Sequence, residues 1–165
     1  MATESSAFEK TYNDYIAQVT KIDFQTIEQK LGVRSKSEVV VIPLLGKPYI
    51  VSEKGISGPS GKRPSLHICV ILSKYLLLCP ENTPKDRNWV SFRDLKDSGP
   101  LTSYFANDVE GSIAGHFSKR VNDLLSASKK LGGYPPDIKL PYDLTMQFDL
   151  LPKVPALMLF NDADD

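Results

Sequence analysis

An apolar run from Leu66 to Cys79, flanked by Pro64 and Pro80, constrains this fold most. Leu66, Ile68 to Leu72 and Tyr75 to Leu78 cover nearly every side of a helical wheel, interrupted only by His67, Ser73 and Lys74. Such a helix has to be surrounded by other elements, so the run predicts a buried central helix. Pro64 suits its first turn and Pro80 stops it. A bilayer span needs about 20 predominantly apolar residues, and this run is shorter and more polar. The first ten residues, Met1 to Lys10, are polar and contain no apolar secretion signal. The chain therefore reads as soluble and cytoplasmic.

The segments on either side alternate between helical and extended patterns. Phe8, Tyr12, Tyr15, Ile16 and Val19 have helical spacing, which predicts an amphipathic N-terminal helix over 5–20 at the periphery. Asp23 suits the N-cap of a short helix ending at Leu31, with Gly32 behind it. Val39 to Ile42 and Tyr49 to Val51 read as two strands of a hairpin. The loop from Ser52 to Arg63 has glycines at 55, 58 and 61, but no Lys-Ser/Thr follows, so a mobile surface loop is expected rather than a phosphate cradle. Leu101 to Leu131 predicts a long helical stretch, broken near Gly111 or Gly115 and stopped by Gly132-Gly133. Asp143 to Leu150 and Val154 to Phe160 predict two final strands. With no internal repeat and no evident boundary, residues 1–165 read as a single α+β domain. Its largely antiparallel sheet would pack on several helices.

Lysine plus arginine equal aspartate plus glutamate at 20 each, so the net charge is zero. That balance argues against a nucleic-acid binder, which ordinarily carries a basic excess, and it opposes self-association only weakly. Cys69 and Cys79 would lie about 15 Å apart on one helix, too far for a disulfide. They are expected to be reduced small hydrophobes, with Cys79 the more reachable. No CxxC, HExxH or GxSxG occurs, and no cofactor is expected. His67 is expected at the core or its edge, His116 on the surface, and Asp149 on the outer side of its strand.

The best polar constellation is Trp89-Val90-Ser91-Phe92-Arg93-Asp94-Leu95, which holds the only tryptophan. Two readings stand. In one, Arg93 covers an aromatic face and Asp94 holds an amide or a cation as a structural clamp. In the other, Trp89, Arg93 and Asp94 form a ligand site in which the arginine grips an anion. The terminal Asp162, Asp164 and Asp165 are weaker candidates for a hard cation, because the glycine turn and distal glutamate of a calcium loop are absent.

The Trp89–Leu95 segment follows an apolar helix and precedes Tyr104-Phe105. Leu131-Gly132-Gly133 and Leu150-Leu151-Pro152-Lys153-Val154-Pro155 come later, and Ile42-Pro43-Leu44-Leu45-Gly46-Lys47 comes earlier with Tyr49. This order resembles the uncharacterised DUF3786 family of anaerobic bacteria and archaea over roughly Ile22 to Asp165. The family has no established activity, so the resemblance implies little chemistry. It does imply that an iron–sulfur or corrinoid protein is the partner to expect. Some relatives carry an added cysteine-rich segment that this chain lacks, so a cluster would belong to the partner. In the family pattern an acidic turn like Asp162-Ala163-Asp164-Asp165 leads into a further strand and helix. A short member or a truncated chain is therefore expected here.

Three functional readings follow. The first is a non-catalytic binding or accessory domain for a protein or small anionic ligand, through Trp89, Arg93 and Asp94. The second is an enzyme holding a metal on carboxylates such as Asp94, Asp149 or the terminal aspartates. The third is a homo-oligomerisation module built on the apolar strand Ala156 to Phe160.

Overall fold

A computed structural model describes residues 2–81 and 88–162, with side chains from residue 6 onward, and within them the chain is α+β with two antiparallel sheets. Contacts group the chain into two compact units, the first formed by residues 1–83 with 149–155 and the second by the rest.

In the first unit, α1 (Ala2–Val19) and α2 (Phe24–Leu31) come first. The Asp23 side chain accepts a hydrogen bond from the Gln25 amide at 3.0 Å, and Gly32 ends α2 at a φ of 66°. Phe24, Ile27 and Leu31 are buried on one face, as their spacing predicts. Next comes a meander in the order β1 (Arg34–Lys36), β2 (Val39–Leu44), β3 (Lys47–Ser52) and β4 (Gly55–Ser57). The expected hairpin is its middle pair, turned by Leu45 and Gly46 with φ of 49° and 72°. Two positive φ values match the right-handed twist of the flanking strands. The outer strands are three residues each, too short to show a periodicity.

The helix predicted from the apolar run is α3 (Leu66–Leu77). Cys69, Leu72, Ser73 and Leu76 are buried on it, beside Val19, Val40, Ile42 and Val51. Being apolar nearly all round does not give burial all round, since Ile71 remains 45% exposed. Leu151 joins this core from the segment 149–155. Leu45 N–H donates to the Leu150 carbonyl at 3.0 Å. The Tyr75 hydroxyl donates to the Leu31 carbonyl at 2.6 Å and accepts from the Lys153 amide at 3.2 Å, joining three segments distant in sequence.

In the second unit, the long helical stretch is divided. α4 (Thr102–Tyr104) runs into a π-helical segment, Phe105–Glu110, then α5 (Gly111–Phe117) and α6 (Val121–Lys130). The break falls at Ser118–Arg120 rather than at Gly111 or Gly115. Lys119 adopts a φ of 58°, and its amide donates to Asp162 Oδ1 at 2.6 Å. Gly132, at a φ of 82°, stops α6 as its position predicts. At Gly133 a Cβ would stand 2.7 Å from the Phe148 ring, so only glycine fits. β5 (Leu144–Leu151) and β6 (Val154–Phe160) pair as the second sheet. Leu144, Met146, Leu124 and Phe160 form this unit's core, with Phe117, Val121 and Leu125 packed around it.

Candidate functional site

The segment from Trp89 to Glu110 is a corner whose backbone is fixed from within and several of whose large side chains are exposed. Ser91 accepts the Arg93 amide at 3.2 Å and so caps a single 3-10 turn, Phe92–Asp94. The buried Ser98 hydroxyl donates to the Arg93 carbonyl at 3.0 Å, and the Ser98 carbonyl accepts from the Thr102 hydroxyl at 3.2 Å. Phe92 stacks on Phe105, with ring centroids 4.1 Å apart and planes 15° apart. That stack ties the turn to the start of the π-helical segment.

Arg93 belongs to this frame through an ion pair. Its Nη2 lies 3.7 Å from Glu110 Oε2, and both side chains are more than half exposed. At that separation and exposure the pair contributes little to stability. The aromatic stacking expected around Arg93 is formed by Phe92 and Phe105 instead. Asp94 is exposed, one residue beyond Arg93 on the turn. Trp89, Val90, Leu95, Leu101 and Tyr104 are 45 to 63% exposed in this one stretch. Leu101, Tyr104 and Glu110 are not among the site candidates expected from the sequence. Leu101 and Tyr104 sit at helical spacing, which ordinarily marks a core face. In the structure both are exposed instead.

Of the terminal acids, Asp162 is the one among the described residues. Asp162 accepts the Lys119 amide and donates its own amide to Asp143 Oδ2 at 2.7 Å, so it fastens the α5–α6 break. Asp164 and Asp165 lie outside the described residues. An open cavity of about 400 Å³ beside Asp162 is lined by Lys119, Arg120, Val121, Asn122 and Asp123. Within it Arg120 Nε meets Asp123 Oδ2 at 2.8 Å. Among the described residues, no three His, Cys, Asp or Glu side chains converge as a metal site.

Of the other singled-out residues, Asp149 and His116 are exposed, as expected, and His116 meets the edge of the Phe117 ring. His67 is exposed on α3 rather than at the core. Cys69 and Cys79 are both free thiols. Burial pushes the Cys69 thiol above its ordinary pKa, against the pull of Arg63. Cys79 is the more accessible of the two.

A family model described as a domain of unknown function, DUF3786, matches residues 23–165. The chain belongs to the DUF3786 family. The match takes in both sheets, α2 to α6 and the whole Trp89–Glu110 corner, while α1 precedes it. No curated protein matches the chain, and no solved structure does. Among its described residues, this DUF3786 protein has no helix long and apolar enough to cross a membrane.

Proposed function

We propose that the protein is a non-catalytic binding or accessory module in the cytoplasm, and that the Trp89–Tyr104 corner is its contact face for a partner protein. The observation that supports this reading is the outward set of Trp89, Val90, Leu95, Leu101 and Tyr104 on a frame fixed from within. Tryptophan, tyrosine and arginine dominate the energetics of protein interfaces. Anchors on a preset backbone lose little conformational entropy on binding. Arg93 and Asp94 are the polar groups beside them, and Arg93 can exchange its long contact with Glu110 for one with a partner's acid. By the family resemblance, the partner is an iron–sulfur or corrinoid protein.

The test is affinity capture from the source cells with wild type, Trp89→Ala, Arg93→Ala and Tyr104→Ala, each first checked for unchanged circular dichroism. A partner held by wild type should be lost or strongly depleted with Trp89→Ala and Tyr104→Ala. Identical captures from all four proteins would remove the corner as the contact face. Trp89 is the sole tryptophan, so its fluorescence can confirm occupancy with the captured partner.

A further inference from the structure

α1 is attached to the rest of the first unit very unevenly along its length. Val19, in its last turn, is fully buried, and Ile16 is half-buried against the same core. From Ser6 to Ala17 no residue is buried. That longer part is held by Tyr12 and Ile16, half-buried against the core, and by polar contacts gathered on one arginine. Arg63 Nη1 donates to both Glu9 carboxylate oxygens, at 3.0 and 2.9 Å, and its guanidinium lies 3.7 Å from the centre of the Tyr12 ring. The Lys74 ammonium lies over the Tyr15 ring at a looser 5.5 Å.

Tyr12 also closes the edge of the meander. Ser52 and Gly55 flank a two-residue turn, so the next pair, Val51 with Ile56, is a non-hydrogen-bonded one and the Ile56 N–H points away from β3. That outward donor is taken by the Tyr12 hydroxyl at 2.9 Å. Gly55 stands against the same hydroxyl, at a φ of 108°, where a Cβ would collide with it. Unpaired edge amides invite strand addition. Cys69, which interacts with Arg63, is 1% exposed.

We propose that α1 is a strap, anchored at Val19 and latched at Arg63, that lifts from the β4 edge without unfolding the core. Lifting breaks the Glu9–Arg63 pair, the ring contacts and the Tyr12–Ile56 bond together. It frees the Ile56 amide and uncovers Cys69. The Glu9–Arg63 pair at the centre of its latch is exposed, and exposed contacts form and break more readily than buried ones.

The test uses the full chain with Glu9→Ala and Tyr12→Phe. Amide exchange is read at Ile56, Val51 and Leu72, and N-ethylmaleimide labelling at Cys69 is read by mass spectrometry against Cys79. In Glu9→Ala the Tyr12–Ile56 bond is chemically intact, so a faster Ile56 amide there reports lifting rather than a lost acceptor. The expected result is a rise of about tenfold or more at Ile56 and Cys69 in either variant, with Val51 and Leu72 unchanged. The strap is overturned if Cys69 labelling rises in neither variant. It is equally overturned if the rise is shared by Val51 and Leu72, because α1 would then open only with the core.

Discussion

Trp89 and Leu72 mark opposite extremes among the apolar side chains. Leu72 is 0% exposed in the core of the first unit, whereas Trp89 is 45% exposed on the corner. Removing a fully buried leucine side chain costs about 2–5 kcal/mol, so Leu72→Ala should lower the denaturant midpoint sharply. Trp89→Ala should cost under about 1 kcal/mol, since exposed substitutions change stability little. Chemical denaturation of the two variants checks this. A large loss with Trp89→Ala would return that ring to a structural role and count against the proposed contact face. The sequence marks Trp89 as distinctive without showing which way it points, because its exposure depends on the Phe92–Phe105 stack and the Ser98 contacts.

At the scale of elements, what was legible followed the range of the cause. Asp23 and Gly32 bound α2 through contacts within a few residues, so their chemistry could be read directly. The break at Lys119 could not, because its left-handed conformation is held by Asp162, which lies 43 positions away. The short strands β1 and β4 were invisible for a related reason, since they exist by pairing with β2 and β3 rather than by their own pattern. Tyr75 links α3, the end of α2 and the segment before β6 through one hydroxyl. Tyr75→Phe leaves the Leu31 carbonyl and Lys153 amide without that partner and should cost about 1–3 kcal/mol. Burial raises the Tyr75 pKa above its ordinary value, so the folded state holds this proton more tightly than the unfolded state. Its contribution is therefore complete below the ordinary tyrosine value of about 10 and is lost as pH rises from there through the folded value. Wild-type stability, followed by urea unfolding at stepped alkaline pH, should decline over that range more steeply than that of Tyr75→Phe.

Over the whole molecule, the α+β class was legible from the alternation of helical and extended segments, but the grouping of contacts was not. Each unit has its own buried set, Leu72 and its neighbours in one, Leu124 and Met146 in the other. Leu124→Ala should therefore speed amide exchange first in α6 and at Leu144 and Met146, ahead of β2 and β3. Simultaneous acceleration at all these sites would mean that the two cores open as one. The first unit also takes in the segment 149–155, far along the chain. Tyr75 and Lys153 are 78 positions apart, and Leu45 waits for Leu150 in the same way. A ribosome emits the helices and meander of that unit long before the piece that completes them. During synthesis the early segments must persist with an open seam, so the nascent chain has a window in which a chaperone can hold it.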